Sequence, residues 1–365
     1  MQPARGDANS VSMAELGPIA WVRAQGARRV LWVVRAIPAL GHRLASTRRQ
    51  EADGRVLDRD TAVVLAIDEL VNGPPAKDVA VDVARARLLE EVRSVDGPPA
   101  GGVEVDEREV QGEGTVLRGR LYAPEGLAAP SPGIAFLHGG GWVVGDLDSH
   151  DTLCRRLARD ARCRVLSIDY RLAPEHRFPT PVRDAVAAVR WVLAHAEELG
   201  MAPERIAVAG DSAGGNLSAV VARHLRRDER KPALQVLIYP ATDATRSLPS
   251  HQSVGQGYFL DEDAINWYLD HYRDESVDDR DPDLSPLWAD DVTGVAPAVI
   301  VTAGFDPLRD EGEAYRKKLE DAGVAVVYRE HPSLIHGFTL MTEAVPAARR
   351  ATEELAGDIA RLLRT

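Results

Sequence analysis

Cysteine is nearly absent: Cys154 and Cys163 are the two in a chain of 365 residues. Two thiols cannot supply a disulfide framework for a chain this long, and neither has metal-ligand spacing. Both read as free thiols of a reducing compartment. Long apolar runs are missing as well. The run from Val30 is cut by Arg35 and Pro38, far short of the ~20 residues a membrane span needs. Arginines also interrupt it too often for the apolar core of a signal peptide. There is no overall basic excess. A net charge of −12 argues against nucleic-acid binding as the main activity. No repeat and no low-complexity tract breaks the chain. The expectation is a cytoplasmic globular protein with no metal and no cofactor.

One further absence is local. From Leu16 to Gln50 there is no acidic residue, while Arg23, Arg28, Arg29, Arg35, Arg43, Arg48 and Arg49 punctuate an apolar stretch that includes Trp21, Leu31, Trp32 and Ile37. An interfacial helix has this composition. So does a helix that packs its apolar side on the body of the protein, which is the commoner case and the expectation here. Weak membrane-surface contact through residues 16–50 is the alternative.

What is present changes character near residue 100. Residues 1–100 show no strand alternation and read as an N-terminal helical region, broken at Gly41, Asp53-Gly54 and Asn72-Gly73-Pro74-Pro75. The turn-forming GPPAGG at 97–102 marks a boundary. From 101 to 365, apolar strand candidates alternate with helical segments: GIAFLH (133–138), RVLSIDY (164–170), RIAVAG (205–210), LQVLIYP (234–240), AVIVTAG (298–304) and VAVVYRE (324–330). Continuous apolar strands separated by helices imply an α/β fold, a mostly parallel sheet covered on both faces. The interval 241–296 is too long for a plain crossover and reads as an excursion from the sheet.

Two glycine-rich punctuations carry the chemistry. Gly139-Gly140-Gly141 follows an apolar strand directly, where glycine costs backbone entropy and adds nothing to a core. Gly210-Asp211-Ser212-Ala213-Gly214 is a G-x-S-x-G pattern between a strand and a helical stretch, the context a nucleophile elbow requires. A serine nucleophile needs a base, and the base needs a group that holds its tautomer. In this topology they follow in the order Ser, Asp, His. Asp306 lies just after the strand AVIVTAG, with Asp310 and Asp243 as lesser rivals. His336 and His331 both follow the last strand candidate. Gly337 leaves His336 an uncrowded neighbour, whereas Pro332 stiffens His331, so the residues favour His336.

Five short stretches in order extend this reading: His138-Gly139-Gly140-Gly141-Trp142, DYRLAPEHRFP (169–179), GDSAGGN (210–216), AGFDPLRDEG (303–312) and HGF (336–338). From about residue 103 onward the chain resembles the bacterial hormone-sensitive-lipase family of α/β-hydrolase esterases. The resemblance implies Ser212 as nucleophile, Asp306 as orienter and His336 as base. It also implies an oxyanion hole of backbone amides from Gly140, Gly141 and Ala213, and a helical cap from residues 1–100 and 241–296. His138 and Trp142 are expected to brace the glycine loop. Tyr258 and Phe259 are pocket candidates, although core packing explains such aromatics equally well. Arg177 departs from the family, standing where proline is common before Phe178. The implied activity is hydrolysis of short- to medium-chain acyl esters, with a small-molecule ester as substrate. A membrane-associated lipase and an amidase or formamidase using the same triad are the alternatives, and a homodimer stays open.

Overall fold

Asp53-Gly54, expected to break a helix, instead turns a small ribbon. Strand β1 (Glu51–Ala52) pairs antiparallel with β2 (Arg55–Val56). Asp53 and Gly54 both adopt positive φ, 51° and 73°, the backbone twist a two-residue hairpin needs. The structure is a computed structural model that describes residues 41, 43, 45–47, 50–71 and 79–364. The expectation for the basic stretch 16–50 therefore falls almost entirely outside the described residues. Helix α1 (Arg59–Val71) opens with Asp58, whose carboxylate accepts the Thr61 N–H at 3.0 Å. Helix α2 (Val81–Val95) follows, and residues 97–102 lead into the sheet without helix or strand.

Eight strands then form one sheet: β3 (Val103–Gln111), β4 (Val116–Pro124), β5 (Ser131–Leu137), β6 (Arg164–Asp169), β7 (Met201–Asp211), β8 (Leu234–Ile238), β9 (Ala298–Phe305) and β10 (Val326–Ile335). Their order is β10-β9-β8-β7-β5-β6-β4-β3. The pairs β3–β4 and β4–β6 are antiparallel and the rest parallel, so the mostly parallel sheet inferred from the apolar runs is present.

Alternation along the buried strands sends successive side chains to opposite faces. Ile134, Phe136, Ala207 and Ala209 join one core with α3 (Asp151–Ala161) and the last helix. Ala135, Leu137, Ile206 and Val208 join another with α4 (Thr180–Ala194) and α5 (Ala213–Leu225). Cys154 and Cys163 are free thiols buried in the first of these cores. The long interval after β8 contains the short helix α6 (Ser250–Ser253) and α7 (Glu262–Tyr272). Helix α8 (Arg309–Asp321) follows β9, and α9 (Pro346–Leu362) closes the chain.

The parallel strands point the same way, so their carboxyl ends share one edge. Strands β5, β7, β9 and β10 stop one residue before His138, Ser212, Asp306 and His336 respectively. Ligand sites of open α/β sheets lie at this edge.

Candidate active site

Ser212 sits between the end of β7 and the first turn of α5 with φ 55° and ψ −117°. A non-glycine residue holds such a backbone only when its surroundings impose it. The imposing contacts are close. The Ser212 N–H donates to the Ile238 carbonyl at 2.8 Å, and the Ser212 carbonyl accepts from Asn216 at 2.9 Å. Gly214 lies against the Leu137 carbonyl where a β-carbon would have no room. The turn lifts the Ser212 hydroxyl off the sheet edge.

His336 Nδ1 lies 2.8 Å from Asp306 Oδ2, and His336 Nε2 lies 2.9 Å from Ser212 Oγ. A carboxylate only accepts, so Nδ1 carries the proton and Nε2 of the neutral ring accepts from the serine hydroxyl. Asp306 is fully buried, and its other oxygen accepts the Leu308 N–H at 2.8 Å. One backbone N–H and one imidazole thus fix this carboxylate.

The rival residues go elsewhere. Strand β10 runs on to Ile335, past the expected end, through an irregularity between His331 and Ile335. That extension puts His331 inside the strand, paired with Ala303, its ring edge-on to Phe338. Asp310 accepts from the Ser250 N–H and the Arg309 guanidinium. Asp243 accepts from the Thr245 N–H and the Trp288 indole.

The three glycines form a strap over the elbow. Gly140 has φ +115° and Gly141 φ +58°. A β-carbon on Gly140 would run into the Val144 carbonyl, and one on Gly141 into the Tyr268 ring. Only glycine keeps this path, and the peptide groups of the strap line the same cavity as Ser212, Ala213 and His336. His138 braces the strap from below. Its ring stacks on Tyr170 at 4.4 Å, its Nδ1–H donates to the Gly139 carbonyl at 2.8 Å, and the Tyr170 hydroxyl donates to its own carbonyl. Full burial and the charge of His150 push the His138 imidazolium down to about 4, so the ring is neutral. Trp142, at φ 62°, stacks flat on Tyr272 at 4.3 Å and also lines the cavity.

Sequence reasoning missed the polar pair behind the strap. Asp211 Oδ1 accepts the Gly139 N–H at 2.9 Å. His150 Nε2 lies 3.2 Å from the same carboxylate, and its Nδ1 faces Ser149 Oγ at 3.0 Å. Ser149 Oγ donates its own proton to the Asp146 carbonyl, so it accepts from His150 Nδ1, and Nε2 lies against both the Asp211 carboxylate and the Gly139 N–H. Burial alone would raise Asp211 and lower His150. Their mutual attraction wins, holding the carboxyl below its ordinary range and the imidazole above. The signal was in reach: Asp211 is the x before Ser212 in the G-x-S-x-G pattern. Its partner lies 61 residues away, and no local pattern joins them.

A cavity of about 320 Å³ opens above Ser212. Leu88 and Glu91 from α2, Phe259 and Leu260 before α7, and Tyr268 and Leu269 on α7 bound its far side. Phe259 therefore sits at the pocket as expected. Tyr258 does not line the cavity. It is buried against Phe305, while the next residue, Phe259, turns toward the cavity at φ +75°. Among the described residues no cluster of His, Cys, Asp or Glu could hold a metal, and no helix is long and apolar enough to cross a membrane.

A parallel sheet with a strained serine at a strand–helix turn, a histidine–aspartate pair from later strands and a glycine strap define an α/β-hydrolase. Comparison with known proteins agrees. Residues 134–340 match the family model described as the alpha/beta hydrolase fold. The carboxylic ester hydrolase LipN of Mycobacterium tuberculosis is 44% identical over 330 residues, 87% of each chain. Carboxylesterase NlhH of the same species is 43% identical over 281 residues, 74% of this chain and 86% of the relative. A crystallised α/β-hydrolase enzyme from the metagenome of Lake Arreo superposes with a TM-score of 0.82 at 39% identity, over 85% of this chain and 99% of the other. The chain belongs to the hormone-sensitive-lipase family of α/β-hydrolase esterases, and it is a carboxylic ester hydrolase.

Proposed function

We propose that the protein hydrolyses short- to medium-chain acyl esters in two steps, with Ser212 as nucleophile, His336 as general base and acid, and Asp306 as orienter. The observation that carries this is the hydrogen-bonded line from Ser212 Oγ through His336 to Asp306, at 2.9 and 2.8 Å, at the floor of the cavity. Ser212 Oγ attacks the ester carbonyl as its proton passes to His336 Nε2. The tetrahedral oxygen takes its negative charge against the amides of Gly140, Gly141 and Ala213. His336 then returns the proton to the leaving alkoxide, and the C–O bond breaks. Water, deprotonated by the same nitrogen, releases the acid. Asp306 stays ionised and steadies the imidazolium.

Residues 50–71, 79–100 and 241–296 act as a cap, since they supply the far wall of the cavity. The largely apolar volume of about 320 Å³ favours neutral esters of modest length over long-chain lipids. The protein works in the cytoplasm as a small-molecule enzyme. Ser212→Ala should abolish release of p-nitrophenol from p-nitrophenyl butyrate, and an aryl phosphonate should label wild type at Ser212 alone. Turnover by the variant near the wild-type rate rejects the assignment. An anilide run beside the ester panel reads the amidase alternative.

A further inference from the structure

Phe259 combines three features that the hydrolytic scheme leaves unused. It is a bulky residue at φ +75°, a region that L side chains avoid. It is 39% exposed, one of the few large apolar side chains left so open among the described residues. Its ring nevertheless lines the cavity and lies directly over Gly337. A β-carbon added there would stand 3.3 Å from Phe259 Cε1. The ring is thus a wall between cavity and solvent, set beside the residue that follows His336. Gly257, two residues earlier, has φ +87° and open space where a β-carbon would stand. Strain at a position like this persists where the surroundings impose it, often for a functional reason.

We infer that Phe259 is the specificity-determining wall for the alcohol part of the ester. This rests on the triad roles proposed above, and the direction follows from the chemistry. His336 Nε2 hands its proton to the departing alkoxide, so the leaving oxygen must lie on the His336 side of the carbonyl. The oxyanion faces the glycine strap, and the acyl chain extends into the remaining space. The group that touches Phe259 is therefore the alcohol, in the step where the Ser212 Oγ–carbon bond forms and the carbon–alkoxide bond breaks.

A series of acetates of graded alcohols (ethyl, benzyl, 1-naphthylmethyl) tests this. The acyl-enzyme is common to all three, so kcat/KM isolates the alcohol-dependent step. Phe259→Ala should raise the naphthylmethyl-to-ethyl ratio of kcat/KM about tenfold, the scale on which a pocket wall discriminates. Phe259→Leu should fall between, and Phe259→Trp should lower the ratio below wild type. The acyl-chain profile on p-nitrophenyl esters should keep its wild-type shape in all three. An unchanged alcohol ratio, or a shift in the acyl profile instead, overturns the inference. Loss of all activity on every ester in wild type would reject the esterase scheme itself, a separate outcome. The side chain is partly exposed, so the variants fold, and circular dichroism checks that they do.

Discussion

On the sheet side of the cavity, polar atoms hold one another. Asp306 is fixed by His336 and Leu308, Asp211 by Gly139 and His150, and His138 by Gly139 and Tyr170. On the far side, Ala84 of α2 and Ile265, Trp267 and Leu269 of α7 belong to one apolar core. Hydrogen bonds fix angles, whereas apolar contacts mainly fix volume. The floor is thus suited to placing atoms for a transition state, and the roof to choosing what enters. Damage to the floor should appear in kcat, and damage to the roof in KM and substrate preference.

Two adjacent glycines give the sharpest break of this contrast. Gly140 is crowded by the floor itself, the Val144 carbonyl. Gly141 is crowded by the roof, the Tyr268 ring. Gly140→Val should lower kcat by about 10²–10³ or more, the value of a lost oxyanion donor, and no roof substitution should restore it. Gly141→Ala should also fall steeply, yet recover in part with Tyr268→Ala, which removes the ring it strikes. Stopped assays on p-nitrophenyl acetate read both, and equal rescue of the two would erase the distinction.

Asp211→Asn comes next. The amide keeps an acceptor for Gly139 but removes the negative charge that faces His150. We expect kcat to fall about tenfold, the cost of a charged hydrogen bond made ordinary, with KM nearly unchanged. The rate of phosphonate inactivation should fall in parallel. A rise in KM alone would mean that the pair supports the roof instead.

A smaller effect should follow at the seam. Arg85 on α2 donates to the Val143 carbonyl just beyond the strap and to the Ala173 carbonyl, both at 2.9 Å, and pairs with Glu175. Arg85→Met should raise KM a few-fold and leave kcat close to wild type, since a half-exposed tether contributes little. A steady-state comparison decides.

The same contrast explains what could be read in the sequence. Ser212 and Asp306 each follow a strand that ends in an apolar run, visible in one dimension. The strand before His336 instead ends in polar residues and an irregularity, so that histidine was favoured by its place after Asp306 and its neighbour Gly337. Gly140 and Gly141 were legible because three glycines in a row after a strand serve no packing purpose. His150, Tyr170 and Tyr268 were not. They act through contacts across 30 to 130 positions, and each is an ordinary residue in its own neighbourhood. Tyr258 was misplaced beside Phe259 because an irregular stretch has no period to tell inward from outward. Asp53-Gly54 was read as a helix break, when two positive-φ residues between short extended pairs are a hairpin.

One buried carboxyl ties roof to floor and should barely touch turnover. Asp96 caps the end of α2, and its Oδ1 accepts from the Thr342 hydroxyl at 2.6 Å and the Thr342 N–H at 3.2 Å. Burial pushes this carboxyl up from 3.8 to about 6, against the pull of those bonds. Between the two values the native chain holds a proton that the unfolded chain has released. Stability therefore falls as pH rises from about 4 to about 6, and the loss persists above that range. Two pH units set a ceiling of about 3 kcal/mol. Asp96→Asn keeps an acceptor for Thr342 and removes the titration. Its Tm relative to wild type should be higher at pH 8 than at pH 4.5, with kcat on p-nitrophenyl butyrate unchanged. A difference in Tm that does not vary with pH would mean that Asp96 is already ionised at low pH, and that the seam is a conventional salt-tolerant polar contact.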